Sequence, residues 1–135
     1  MPSPIPLRGP RIRRAPVPED ARIVVRGDDI DPAISRHQAE RFLQRFRDWR
    51  RYGLSGYYAR NDAEVNDLAA DHLERFPLLG LFGIRELEEA GFEVVPTFRS
   101  PHVTIAFTGD LTEALARLAE LRIELRPNPY HDVEK

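Results

Sequence analysis

Residues 92–110, FEVVPTFRSPHVTIAFTGD, decide the fold of this chain, because they predict two neighbouring strands joined by a short turn. Apolar and β-branched residues fill both Phe92–Thr97 and His102–Phe107. The segment between them is polar and contains a proline, which favours a turn. We therefore predict an antiparallel strand pair here, with the other elements arranged around it.

Strand and helix patterns alternate along the rest of the chain. The predicted strands are 22–26, 54–59, 78–82, 92–97, 102–107 and 122–126. The predicted helices are 31–51, 61–76, 84–90 and 111–121. This order is typical of an α/β fold, with α+β as the alternative: a single domain with a mixed β-sheet of about five to six strands and about four helices packed on it. Parallel pairs are expected across the helical connections, and Tyr130 is expected to tie down the tail.

Composition indicates a soluble, cytoplasmic protein. The chain has 135 residues, enough for one domain with its own core. It has no cysteine, which excludes disulfides, thiolate nucleophiles and cysteine-ligated metals. No stretch has the apolar length of a signal peptide or a membrane span, so no membrane partner is predicted. There is no G-x-G-x-x-G, Walker-type loop or His-Glu-x-x-His, and we predict no cofactor and no metal site.

Residues 1–20 differ in composition from the rest of the chain. They contain six prolines, which prevent a helix, and residues 1–18 carry four arginines and no carboxylate. We predict an extended or disordered arm at residues 1–20 and a single α/β domain at 21–135. Residues 1–18 are expected to pack little on that domain. They are expected instead to contact nucleic acid, a partner protein or a second copy of the chain in a homo-oligomer.

The predicted strand at residues 102–107 carries the clearest candidate site. Alternate side chains of a strand share a face, so His102 and Thr104 point one way and the residues between them point into the core. We expect the face with His102 and Thr104 to be open. The sequence PHVTIAF resembles half of the 2H phosphoesterase signature, a His-x-Thr/Ser between apolar residues on a strand. The resemblance implies that the imidazole acts as general acid or base while the hydroxyl holds a phosphate.

A 2H phosphoesterase carries this motif twice, whereas this chain carries it once. The residues two positions after the other histidines are Ala39, Glu74 and Val133, so none of them completes a second copy. Three explanations stay open: a second copy of the chain supplies the motif in a dimer, His72 takes the second role, or the match is accidental. His72 lies beside the apolar stripe of the second predicted helix, and a histidine at the edge of the core is the alternative interpretation.

Arginine side chains near these residues favour an anionic substrate. Arg99 and Ser100, in the turn before His102, could bind a phosphate or carboxylate, because a guanidinium presents a planar pair of donors. Four more arginines crowd the C-terminal half of the first predicted helix: Arg45, Arg47, Arg50 and Arg51. A solvated face and the helix macrodipole account for them, with a phosphate site as the alternative.

A second resemblance involves Arg26, which ends the first predicted strand, and Ser55 on the second. The pair resembles the opening of ADP-ribosyltransferase-type folds, in which a late glutamate completes the site. Glu124 on the last strand is the match here, although the Glu-x-Glu pattern is missing. This resemblance implies a toxin-like component of a toxin–antitoxin pair.

Together these patterns predict a phosphate- or nucleotide-directed site of the phosphoesterase or RNA-processing type. The expected catalytic residues are His102, Thr104 and His72, and the expected substrate-binding residues are Arg99, Arg26 and Ser100. A nucleotide or RNA is the expected partner. The alternatives are the toxin–antitoxin component and a non-catalytic binding protein that acts through its N-terminal arm.

Overall fold

The computed structural model describes residues 9–27, 31–121 and 123–131, which form one six-stranded sheet with four α-helices. The strands are β1 (Arg22–Arg26), β2 (Tyr52–Ala59), β3 (Leu78–Gly83), β4 (Glu93–Pro96), β5 (His102–Phe107) and β6 (Glu124–Pro127). The helices are α1 (Pro32–Arg45), α2 (Asp62–Asp71), α3 (Ile84–Glu89) and α4 (Leu111–Glu120), with a 3-10 helix at Arg47–Trp49. The predicted fold class is confirmed.

The sheet has the strand order β4-β5-β2-β1-β3-β6, and every neighbouring pair is antiparallel. The predicted pair β4–β5 is present, with Val95 opposite Thr104. The expectation of parallel pairs across the helical connections is wrong. β2 and β3 do run in the same direction, but β1 lies between them and hydrogen-bonds to both. In the described residues no helix has the length and apolar character needed to cross a membrane.

Helices cover both faces of the sheet. On one face α3 and α4 pack on side chains from β1, β2, β3 and β5, including Ile23, Leu54, Phe82, Val103 and Ile105. On the other face Val65 and Leu68 of α2, together with Leu73 just after the helix, pack on Val24, Leu79 and Leu81. The predicted burial of Val65, Leu68 and Leu73 is confirmed, whereas the predicted end of the helix at residue 76 is wrong, because α2 ends at Asp71.

Helix α1 lies close against β2 because residue 53 is glycine. A Cβ at Gly53 would come within 2.7 Å of both Phe42 Cδ1 and Thr104 Cγ2, so any larger side chain would push α1 away from the sheet. Beyond this contact, α1 and α2 leave the middle of β2 uncovered. Ser55 is consequently exposed although β2 is an interior strand.

The arm is hydrogen-bonded to the β4–β5 turn. Ile12 forms a bridge with Thr97, Arg13 N–H donates to the Pro96 carbonyl at 2.8 Å, and Phe98 N–H donates to the Arg11 carbonyl at 2.8 Å. The expectation that residues 1–18 pack little on the domain is therefore wrong at residues 11–13. Residues 1–8 lie outside the described residues.

Asn128 ties the chain after β6 to the end of α2. The Asn128 side chain donates to the carbonyls of Leu73 at 2.8 Å and Phe76 at 3.1 Å, and its carbonyl oxygen accepts from Tyr130 N–H at 2.9 Å. The Asn128 backbone N–H donates to the Pro77 carbonyl at 2.8 Å. The role expected of Tyr130 thus falls to Asn128, which is 6% exposed, whereas Tyr130 is 47% exposed.

Candidate functional site

A short hydrogen-bonded chain of polar side chains crosses the β4–β5 hairpin. Thr97 Oγ1 lies 2.8 Å from His102 Nδ1 and 2.8 Å from Thr104 Oγ1. Thr97 and Thr104 are fully buried, at 0% and 1% exposure. The expectation of an open face therefore fails at Thr104, because α1 brings Phe42 over this part of the sheet.

His102 is half-buried between two aromatic rings. Its ring centroid lies 5.4 Å from that of Tyr57, which it meets edge-on, and 5.2 Å from that of Phe98. Burial lowers the pKa of His102 from 6.5 to about 4. A hydrogen bond to the Thr97 backbone acts in the opposite direction, and the positive charge of Arg13 lowers the pKa further. At pH 7 His102 is therefore neutral, and Thr97 fixes its ring orientation.

Acidification is expected to destabilise the folded chain through His102. Because the pKa is 6.5 in the unfolded chain and about 4 in the folded chain, the unfolded state binds more protons below pH 6.5. The stabilisation is complete above pH 6.5 and is lost as the pH falls through 4. Urea unfolding of wild type should show this loss of stability on acidification. In His102→Asn, which does not titrate, the loss should be smaller by about 1–2 kcal/mol, after allowance for the partial solvent access of His102. Identical pH profiles for the two proteins would contradict the assignment.

Arg13 closes the same hairpin from the arm. Its guanidinium Nη1 donates to the carbonyls of Thr97 at 2.6 Å and His102 at 2.8 Å, and lies 3.4 Å from the carbonyl of Phe98. Phe98 has a φ of 57°, in the left-handed region that a bulky residue rarely adopts. The arm therefore contacts both backbone groups of Phe98 in this uncommon conformation: the Arg11 carbonyl accepts from the Phe98 N–H, and the Arg13 guanidinium lies beside the Phe98 carbonyl.

A groove, here called the β2 groove, runs over β2 between α1 and α2. It consists of two adjoining cavities of about 460 and 280 Å³ that share Gln38, Arg41 and Ser55. The other polar side chains of the larger cavity are Arg26, His37, Tyr57 and His72. The smaller cavity adds Arg45 and three phenylalanines, Phe42, Phe46 and Phe98.

The β2 groove is cationic, and no carboxylate of the described residues lies in its wall. His37, Arg41 and Arg45 are spaced four residues apart, so they share one stripe of α1. Neither Arg41 nor Arg45 makes an ion pair with a described residue, although Arg45 lies over the Phe46 ring. The neighbouring cleft at Ser100 differs in charge, because Glu64, Asp67 and Asp71 line it.

The structure brings two of the predicted site residues, His72 and Arg26, into the β2 groove. His72 stacks on Tyr57 with ring centroids 4.8 Å apart, and His102 lies on the edge of the same tyrosine ring. His102 and Thr104 line neither cavity of the groove. Thr104 is buried beneath it, so only His72 among the three expected catalytic residues opens into the groove.

The predicted residues of the β4–β5 turn lie apart from the β2 groove. Arg99 and Ser100 are both exposed, and Ser100 Oγ lies 3.3 Å from the Tyr58 hydroxyl in the acidic cleft. The sequence reasoning missed His37, Arg41 and Tyr57 as residues of one site. The available signal was the four-residue spacing of His37, Arg41 and Arg45, which also fits a solvated helix face.

Arg26 and Ser55, the residues of the second resemblance, line the same cavity. Glu124 lies elsewhere, on the edge strand β6, and its carboxylate contacts Arg126 and, at 3.7 Å, Arg22. The glutamate of that pattern is therefore not part of the cavity wall.

Comparison with known proteins finds no family model, no curated protein and no solved structure that matches the chain. Among the described residues there is also no group of three or more histidine, cysteine or acidic side chains placed to hold a metal ion. The function must therefore be argued from the β2 groove.

Proposed function

We propose that the β2 groove binds a phosphate-bearing ligand of the nucleotide class. The proposal rests on the lining of the β2 groove, which has three arginines, two histidines and no carboxylate among the described residues. In a chain of net charge −2, the guanidinium groups of this lining would attract anions to this place. Guanidinium groups match phosphate oxygens with paired, charge-assisted hydrogen bonds.

The floor of the β2 groove supplies neutral donors and ring surfaces. The Ser55 hydroxyl is exposed there. Burial raises the pKa of Tyr57 above its ordinary value of 10, so the phenol keeps its proton and can donate to an anion. Tyr57 and Phe98 are half-buried and present ring surface in the larger and the smaller cavity, respectively. Such surfaces favour a ligand with a base over inorganic phosphate alone.

His72 is the residue best placed for phosphoester chemistry. It is exposed, ends α2 and lines the β2 groove, so a ring nitrogen could reach a bound phosphate. His102 would act as a positioning residue, since its neutral ring contacts the Tyr57 ring on which His72 stacks. A screen of cyclic phosphodiesters and RNA with wild type and His72→Ala would test the reaction separately from binding.

Arg41→Gln is expected to weaken nucleotide binding by about 10- to 100-fold, because a hydrogen bond to a charged group contributes about 1.5–3 kcal/mol. Isothermal titration with AMP, ADP and pyrophosphate at fixed salt would measure it. Arg85→Gln is the matched control, because Arg85 is exposed on α3, outside the β2 groove. Absence of binding at millimolar ligand, or equal losses in both variants, would overturn the proposal.

A further inference from the structure

We infer that the ligand of the β2 groove is a stretch of single-stranded nucleic acid, and that the arm continues the path of its backbone. The inference rests on the proposed function, because it needs the groove to bind phosphate. It adds a ligand class and a second set of contacts, from Arg11 and Arg14.

The β2 groove is longer than one phosphate requires. Its two cavities are continuous through Gln38, Arg41 and Ser55. Arg41 and Arg45 are one helical turn apart, so their Cβ atoms are separated by ~5–6 Å. Two arginines on adjacent turns of a helix can contact successive anionic groups of a chain.

The arm begins where the lining of the β2 groove ends. Phe98 lines the smaller cavity and donates its N–H to the Arg11 carbonyl at 2.8 Å, so the arm backbone adjoins the groove wall. A Cβ at Gly9 would lie 4.0 Å from Trp49 Cβ, which places the arm beside the 3-10 helix as well. That helix carries the exposed Arg47 and is followed by the exposed Arg50.

Two arginines of the arm are available to a polyanion. Arg11 and Arg14 are exposed, and their side chains make no hydrogen bond or ion pair with the rest of the described chain. The Arg13 guanidinium, by contrast, is committed to the carbonyls of the hairpin. The 3-10 helix also carries one exposed acid, Asp48, between Arg47 and Arg50. The basic surface therefore extends from the groove past Phe98 to the arm.

The shape of the β2 groove favours a single strand. Cavities of about 280 and 460 Å³ each have the size of a small-ligand site, so a duplex cannot enter between α1 and α2. Tyr57, which has one ring face stacked on His72, and Phe98 line the groove, and unpaired bases stack on aromatic side chains beside a cationic track.

Fluorescence anisotropy with a labelled single-stranded oligouridylate of about twelve nucleotides tests the inference, with AMP titrated separately by calorimetry. We expect the oligonucleotide to bind at least about 10-fold more tightly than AMP. The double variant Arg11→Gln/Arg14→Gln should lose about 10-fold in oligonucleotide affinity and none in AMP affinity. Its slope of log affinity against log salt should fall by about 1.4, at about 0.7 for each lost phosphate contact.

Arg41→Gln should weaken both ligands, and Arg85→Gln neither. An oligonucleotide that binds no more tightly than AMP overturns the inference and leaves the proposed function intact, whereas failure of both ligands overturns both. A duplex of the same length that binds as tightly as the single strand also contradicts the inference. So does equal loss of AMP and oligonucleotide affinity in the arm variant, because the arm would then act only through the shape of the groove.

Discussion

Asn128→Asp is expected to lower the free energy of unfolding by about 3 kcal/mol, because it leaves a buried carboxylate facing carbonyl oxygens. The Asn128 amide donates to the carbonyls of Leu73 and Phe76 in the loop that ends α2, and the residue is 6% exposed. An ionised carboxylate accepts hydrogen bonds and cannot donate them. The two carbonyls would lose their donor, and the new charge would be repelled by them.

The loss of unfolding free energy in Asn128→Asp should grow as the pH rises. The introduced carboxyl would have a folded-state pKa above the value of about 3.9 expected in the unfolded chain, because burial and the carbonyls disfavour its charge. The folded variant then binds more protons than the unfolded one, and the penalty grows as the pH rises above about 4. Urea unfolding at pH 4.5 and pH 7.5 would measure it.

Asn61→Asp is the matched control, since it makes the same chemical change at an exposed position. Asn61 Oδ1 accepts from Glu64 N–H at 2.9 Å as the N-cap of α2, and aspartate caps a helix equally well. Its effect should stay within about 0.5 kcal/mol. A comparable loss in both variants would show that the contacts of Asn128 do not hold the tail to α2.

Thr97→Val is expected to destabilise the chain by about 2–3 kcal/mol, although it nearly preserves the shape of the side chain. The Thr97 hydroxyl pairs with His102 Nδ1 and Thr104 Oγ1, each at 2.8 Å, and both threonines are fully buried. Its removal leaves two polar groups without this partner. The loss should be measured by urea unfolding at pH 7.5, where His102 is neutral.

The control for Thr97→Val is Ser100→Ala in the adjoining turn. The Ser100 hydroxyl is exposed and lies 3.3 Å from the Tyr58 hydroxyl. Water can therefore take the place of the hydroxyl that Ser100→Ala removes. We expect a change below about 0.5 kcal/mol. A Thr97→Val protein as stable as wild type would mean that the Thr97–His102–Thr104 chain contributes no net stability.

Local patterns were sufficient for the element types and for several helix starts. Helices α1, α2 and α4 begin where predicted, because Asp31, Asn61 and Asp110 cap them and an N-cap depends on a few neighbouring residues. The end of α1 was not predictable in this way. It was expected near Arg51, but the helix ends at Arg45 and gives way to a 3-10 turn that closes with Arg50 at a φ of 55°.

Strand direction and the location of the site depend on contacts that no local pattern contains. Parallel pairing was expected because helices separate the strands, yet β1 inserts between β2 and β3. Arg41 resembles any exposed helix arginine until α1 and α2 are seen on either side of Ser55. His102 and Thr104 were identified as polar residues on one strand face, but only the fold places Phe42 over Thr104.

The docking of residues 11–13 on the β4–β5 turn has a consequence for self-association. Residues 11–13 form hydrogen bonds with backbone groups at the end of the edge strand β4. Backbone groups at an uncovered strand edge can instead pair with another chain. A second copy could offer its own residues 11–13 to the same turn and form the same bonds. Exchange of arms between two copies would therefore create a dimer with the same contacts that the arm makes within one chain. The length of the linker at residues 14–21 would determine whether the arm can reach the second copy.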